Sequence, residues 1–270
     1  MIYKTNTCAL YGIEGHVIEV ETDLSNGLPG FDIVGLPDAA VRESRERVRA
    51  AIKNSGFLFP QKRITVNLAP ADIRKEGSIF DLAIASGILR ASMYILNEAL
   101  EGFAFLGELS LNGSVKGIRG VLPMCLSLKE KGLKKLILAK DNADEAALVN
   151  GMEIYPVESI TDMVSFLNGN ISIAPHKVDL EKVLRSDAAE IYDFAEVRGQ
   201  NTAKRALEIA AAGAHNVLML GPPGSGKTML ARRLPSILPD MSFEESLEVT
   251  KIYSIAGLLK DSLCLVTRRP

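Results

Sequence analysis

The chain is 270 residues long, 47% hydrophobic and 24% charged, with a formal net charge of −2. That length fits two domains, and the apolar fraction is ample for a buried core. The near-neutral balance excludes an overall basic field of the kind that advertises nucleic-acid binding and leaves only local patches.

Residues 8–22 read as strands broken by Gly12 and Gly15, with Ile18 and Val20 on one side of the extended chain and Glu19 and Glu21 on the other. Residues 31–34 form a second short strand, ended by Gly35, Leu36 and Pro37. Asp38 is placed to cap a helix reaching Asn54, with Gly56 just past its end. Val41, Val48 and Ile52 share the face of that helix that must be buried. Arg42, Arg45, Arg49 and Lys53 form an adjacent stripe. The stripe reads either as a contact surface for phosphate backbones or as a solvated face with Glu43 and Glu46 as partial counter-charges. Charge runs are usually only surface, which favours the second reading.

Residues 63–69 alternate and form a strand ended by Pro70. The segment 74–89 is almost wholly apolar in its second half, which predicts a helix central to the core, with Gly77 and Ser78 at its start. Strands are expected at 103–106 and 108–111, and Asn112-Gly113 is the strongest short hairpin signal in the chain. A helix around 120–131, a buried strand at 136–138, a helix opening at Asp141, a strand at 154–157 and a helix over 160–167 follow. This alternation makes residues 1–168 an α/β or α+β layer domain. Residues 169–187, interrupted by Gly169, Asn170 and Pro175, are expected to be a linker. A second domain, 188–270, begins in earnest near Asp193. In it Ala203, Ala206, Leu207 and Ala210 make a small-residue stripe on a helix, and residues 242–245 form a capping box that opens another.

Between those helices lies the motif the second domain is organised around. An apolar run at 217–220 leads into Gly221-Pro222-Pro223-Gly224-Ser225-Gly226-Lys227-Thr228, the G-x-x-x-x-G-K-[ST] pattern with a strand expected before it and a helix after. The glycines let the backbone turn so that its N–H groups surround phosphate oxygens. Lys227 would reach the β- and γ-phosphates, and Thr228 would offer its hydroxyl to Mg²⁺. A glycine-rich strand–helix turn with no ligand is the alternative. ATP and Mg²⁺ are therefore the expected cofactors. A hydrolysing site of this class also needs an acid at the end of a second strand and usually an arginine finger. Residues 229–270 hold no apolar strand ending in paired acids, so this stretch of chain is expected to bind nucleotide and to hydrolyse it poorly.

Three cysteines (Cys8, Cys125, Cys264) and three histidines (His16, His176, His215) are scattered without disulfide or zinc spacing. Free thiols in a reducing compartment are expected. With no leader-like N-terminus and no run of about 20 apolar residues, the expectation is a cytoplasmic protein with no membrane partner.

Four stretches together, KEGSIFDLAIA, GELSLNGSVKGIRG, GPPGSGKT and EVTKIYSIAG, resemble the YifB/ComM family of magnesium-chelatase-like AAA+ ATPases over essentially the whole chain. The resemblance implies an α/β protein: an N-terminal α+β domain, the ChlI-type domain over 1–168, of the ribosomal-protein and Lon-protease-domain-like fold, then an incomplete P-loop AAA+ α/β domain. The Walker B acid, sensors and arginine finger of that family would lie beyond residue 270. It further implies a hexameric ring of identical subunits. For the ComM branch it implies a DNA partner, through a helicase that promotes branch migration during natural transformation, the competence pathway. The chelatase relatives use a similar motor to drive metal insertion. Nucleotide contacts carry over to Gly221, Gly226, Lys227 and Thr228, and to the intervening Pro222, Pro223, Gly224 and Ser225. Val197-Arg198-Gly199-Gln200 resembles the segment beside the adenine, which nominates Val197 and Gly199; an ordinary helix-entry turn is an equal alternative.

Lon-type proteolysis needs a serine activated by a lysine. If Glu76-Gly77 is set on the protease's Asp-Gly, the nucleophile position falls on Ile79, and in the second stretch, 115–133, the lysine position falls on Leu122. Ser78 lies one residue off, and Lys75 and Lys116 are out of register, so no peptidase is expected. Three readings remain: an AAA+ motor that remodels DNA, a chelatase-type motor that grips a protein partner, and a non-hydrolysing nucleotide-binding module.

Overall fold

The computed structural model describes residues 2–96, 100–179, 192–259 and 264–269. The chain separates into two compact units, Met1–Val178 with Lys251–Cys264, and Asp179–Thr250 with Leu265–Pro270. Residues 180–187 of the expected linker lie outside the described residues. Among the described residues no helix is long and apolar enough to cross a membrane.

The first unit is mixed α/β, built on a seven-stranded sheet. Strands β1 (Ile2–Tyr11) and β2 (Glu14–Ser25) form an antiparallel hairpin. Next along the chain come β3 (Gly30–Val34), helix α1 (Ala39–Asn54), β4 (Arg63–Ala69), α2 (Asp81–Ala91) and β5 (Phe103–Leu106). A two-stranded ribbon of β6 (Glu108–Leu109) and β7 (Val115–Lys116) leads to α3 (Val121–Glu130), β8 (Lys135–Ala139), α4 (Ala143–Ala147), β9 (Glu153–Val157) and α5 (Ile160–Leu167). The sheet order is β3-β4-β2-β1-β5-β8-β9. Within this sheet β2 pairs antiparallel with both its neighbours, and every other pairing is parallel.

Helices pack on both faces, although one face of β2 stays open where Glu19 and Glu21 stand with Lys4. Every residue of α2 from Asp81 to Leu89 is buried, as expected for a helix that is apolar all round. It lies so close to the hairpin that a Cβ on Gly87 would come within 2.4 Å of the Thr22 hydroxyl. On the other face a Cβ on Gly15 would come within 3.0 Å of Met124 Cα in α3. Ile18, Val20, Ile64, Val66, Leu82, Ile88 and Phe105 are among the residues of the core that α2 shares with the sheet.

Helix α1 starts where its cap places it, with Val41 N donating to Asp38 Oδ1 at 2.7 Å, and Val41, Val48 and Ile52 are fully buried. Two expectations shift. Helix α2 begins at Asp81, so Gly77 and Ser78 sit in the turn before it. Residue 75 is already committed elsewhere: Lys75 N donates to Leu36 O and Asp38 N to Lys75 O, a bridge that holds the strand-like segment away from helical bonding. Gly77, at φ +83°, then makes the turn. Strand β6 stops at Leu109 because residues 110–114 form the hairpin turn, with Gly113 at φ +88°.

The second unit has a smaller core of Phe194, Val197, Leu207 and Leu230. Its elements are a 3₁₀ turn (Phe194–Glu196), α6 (Asn201–Gly213), α7 (Lys227–Arg233), a second 3₁₀ turn (Leu234–Ile237) and the first part of α8 (Phe243–Ala256). The capping box is present in full: Glu245 N donates to Ser242 Oγ at 3.1 Å and Ser242 N to Glu245 Oε2 at 2.9 Å. On α6, Leu207 and Ala210 are buried but Ala206 is exposed, so the small-residue stripe is only partly covered. The strand expected at 217–220 is absent. A parallel strand of that kind is stabilised by ladder bonds to neighbours and by cover on both faces. No described strand pairs with this run, and Leu218 and Leu220 are 82% and 85% exposed.

Candidate nucleotide site

The loop between α6 and α7 is built for close backbone approach. Gly224 and Gly226 take φ +78° and +85°, the left-handed region that suits glycine. Nothing lies within 4 Å of where a Gly224 Cβ would stand, whereas one on Gly226 would come within 2.9 Å of Gln200 Nε2. Gly226 is also the N-cap of α7 and supplies no side chain to cap it. Among the described residues the amides of Gly226, Lys227 and Thr228 donate to no backbone carbonyl. These are the orphan donors of a helix start, and they give the loop a surplus of N–H groups.

Lys227 is turned into this loop. Its ammonium donates to Gly221 O and Pro222 O, both at 2.8 Å, and to Ser225 Oγ at 3.2 Å. Thr228 is exposed and lines a cavity of about 740 Å³ with Arg232, Asp240, Arg268 and Arg269. Lys227 lines a different one, of about 400 Å³, with Gln200, Ala203, Leu207, Met219 and Gly221. The two side chains thus leave the start of α7 in different directions, as neighbours about 100° apart on a helix must.

The residues present suit a polyphosphate: glycine conformers, unmet amides and one ammonium are the donor set that phosphate oxygens need. For a magnesium ion the loop offers the Thr228 hydroxyl. Among the described residues no group of three or more His, Cys, Asp or Glu side chains gathers as a metal site. A single protein ligand is compatible with Mg²⁺, which keeps several waters and takes phosphate oxygens.

The segment nominated beside the base divides. Val197 is 2% exposed and belongs to the core, its carbonyl accepting from Lys204 Nζ at 3.0 Å. Gly199, at φ +69°, is an exposed turn with open space around it. Neither lines the cavity beside Lys227, but their neighbour Gln200 does, and its Nε2 donates to Ser225 O at 3.1 Å. Sequence reasoning passed over Gln200 as a side chain, although its place at the entry to α6 was visible.

In the first unit, Leu122 is fully buried in α3. Ser78 donates its hydroxyl to Glu108, and Lys75 donates its ammonium to Pro70 O. Burial pulls the Lys75 ammonium below the ordinary lysine value. Two charged groups that the sequence reading left out stand out here. Asp81, fully buried, accepts from Arg47 Nε at 2.8 Å, Arg47 Nη2 at 3.1 Å and Leu109 N at 3.2 Å. Glu145 accepts from Leu122 N at 2.7 Å and from the Ser254 hydroxyl, and burial pushes its carboxyl up. An aspartate inside the apolar run 79–89 was the available signal for the first.

A family model described as subunit ChlI of Mg-chelatase matches residues 20–142, and one described as magnesium chelatase, subunit ChlI, matches residues 193–270. An uncharacterized protein of Mycobacterium tuberculosis is 46% identical over 262 residues, 97% of this chain and 51% of its own length. The competence protein ComM of Haemophilus influenzae is 46% identical over 248 residues, 92% of this chain and 48% of that protein. The uncharacterized protein YifB of Escherichia coli is 44% identical over 255 residues, 93% and 49% respectively. The chain thus spans about half the length of the curated relatives it matches. With two chelatase-type models in tandem and such identity along nearly its whole course, the chain belongs to the YifB/ComM family of magnesium-chelatase-like proteins.

Proposed function

We propose that residues 221–228 bind the phosphates of ATP with Mg²⁺, and that the chain is the nucleotide-binding part of an AAA+ motor that acts on DNA as a ring of identical subunits. The observation that carries the nucleotide reading is the donor surplus at the start of α7: three amides without a backbone acceptor beside an ammonium held by the same loop. ATP supplies the anionic oxygens that such a loop lacks. Lys227 would exchange its bonds to Gly221 O and Pro222 O for phosphate oxygens. The ammonium's bonds to those carbonyls are already charge-assisted; with a phosphate oxygen the acceptor is charged as well, which adds Coulombic attraction, so the exchange favours the ligand. Thr228 would turn its hydroxyl to the metal, and Gln200, through Ser225 O, would keep the loop's far side in place.

The DNA part rests on kinship with a relative named a competence protein. A motor that acts on a protein partner is the second reading, favoured by the chelatase description of both matching family models. The test is titration of a fluorescent ATP analogue with and without Mg²⁺. Lys227→Ala should weaken binding about 10- to 150-fold, the loss of about 1.5–3 kcal/mol for a hydrogen bond to a charged group. Thr228→Ala should remove the Mg²⁺ dependence. If both variants bind as the parent does, this loop does not hold the nucleotide.

A further inference from the structure

We propose that the stripe Arg42, Arg45, Arg49 and Lys53 on α1 is a docking surface for a nucleic-acid phosphate backbone; this deepens the DNA reading above and rests on it. The four positions follow at i, i+3, i+7 and i+11, so the cations run about 16 Å along one side of the helix.

None of the four makes an ion pair with a carboxylate among the described residues. The same helix shows what a paired cation looks like: Arg47, off the stripe, is locked to Asp81. The helix's own glutamates offset the stripe only in part. Glu43 stands one turn before Arg47 and acts on it, and Glu46, exposed on the stripe's side of the helix, makes no ion pair with any of the four. The other nearby acids are occupied, Asp38 as the helix cap and Asp32 with Arg63 at 3.4 Å.

Two of the four are held in position by uncharged groups. Arg45 donates to Arg42 O at 3.0 Å and Phe31 O at 3.3 Å. The Arg49 guanidinium lies over the Phe59 ring, 5.2 Å from its centroid. Holding these side chains in advance lowers the entropy cost of binding, and a stacked or carbonyl-anchored guanidinium still has N–H groups to spare. Arg42 and Lys53, at the two ends, are exposed. A nucleic-acid strand presents one phosphate per 3.4 Å of axis, so about five phosphates lie along a row of this length. An acidic peptide carries charge only where Asp or Glu occurs, whereas a nucleic-acid strand carries it at this spacing whatever its sequence.

The experiment is fluorescence anisotropy of the 270-residue protein with a labelled 30-nucleotide DNA, as single strand and as duplex, over about 50–200 mM salt. Neutralising all four cations to glutamine should flatten the log–log salt slope by about 3.6 for duplex, or about 2.8 for a single strand. The Arg42→Gln/Lys53→Gln variant leaves the anchored pair untouched and should lose about half as much, with the parent's circular dichroism. If both variants keep the parent's slope, the stripe is not the site, though DNA binding by the chain stands. If the parent binds neither DNA at the lowest salt, this proposal and the DNA reading fall together. If polyglutamate displaces DNA equally well charge for charge, the partner is an acidic protein and the proposal is wrong.

Discussion

Replacing Arg47 with methionine would leave Asp81 as a carboxylate with neither a cation nor water beside it. In the parent, the guanidinium meets both carboxylate oxygens, at 2.8 and 3.1 Å. The Asp81 side chain is 0% and that of Arg47 22% exposed, so solvent screening removes little of the interaction. Breaking one side of such a buried pair costs about 3–5 kcal/mol. In a unit of this size each kcal/mol moves the melting temperature by about 2–4 °C, which gives a fall of about 6–20 °C. Burial already pushes the Asp81 carboxyl up, with Arg47, Ser44 and the Leu109 amide pulling against it. Without Arg47 it rises further. A carboxyl whose folded value is raised binds its proton more tightly in the fold, so stability is lost as pH rises and regained as pH falls. The deficit of Arg47→Met should therefore be largest at about pH 8 and shrink toward about pH 5. The double variant Arg47→Met/Asp81→Leu removes both charges and should recover most of the loss. Differential scanning calorimetry at both pH values reads all of this. The reasoning is refuted if the single variant melts within about 2 °C of the parent at the higher pH, or if the double variant is no more stable than the single one.

Glu145 offers a second pH test in the same unit. Burial raises its carboxyl, while the Ser254 hydroxyl and the Leu122 amide work in the other direction. Its contribution is present at low pH and is lost as pH rises through the folded value. Glu145→Gln should therefore gain melting temperature relative to the parent on going from acidic to neutral buffer, and a gap that does not change with pH would contradict this. The thiols give a third. Burial pushes Cys8 up to about 12 and Cys125 well above the ordinary thiol value, and both are buried, while Cys264 is partly exposed. Reaction with a disulfide reagent on the native protein should modify Cys264 ahead of the other two, and mass mapping that finds Cys8 or Cys125 first would refute it.

The sequence was most legible where local chemistry decides the outcome. Asp38 and Ser242 cap helices because a short oxygen side chain at a helix start has few other uses. The hairpin at Asn112-Gly113 follows from the left-handed backbone that glycine tolerates. The apolar run after Phe80 could hardly be anything but a core helix. What escaped reading depends on residues distant along the chain. Nothing near Arg47 announces that its partner is 34 positions away. Nothing near residue 75 announces that its backbone bridges to Leu36 and Asp38. The Arg42 stripe could be seen in sequence, but not that Arg45 is anchored on Phe31 O and Arg49 on the Phe59 ring. The failed strand at 217–220 is the same lesson reversed: its apolar composition was right, and a strand exists only where a neighbour supplies the other half of the ladder.

That exposed run leads straight into the loop, and the two together say what kind of ligand the loop suits. Its carbonyl side is met: Gly221 O and Pro222 O have the Lys227 ammonium, and Ser225 O has Gln200. Its amide side, Gly226 through Thr228, has no protein acceptor among the described residues. A ligand rich in donors would compete with Lys227 for carbonyls that are already satisfied. A ligand made of acceptors would meet the amides, and would draw the ammonium across from neutral carbonyls to charged oxygens. A chain of phosphates is all acceptor and carries the opposite charge, so it answers both the unmet amides and the ammonium. The pattern of bonds made and unmade inside the loop, more than the presence of the motif, is the reason to expect a nucleotide there.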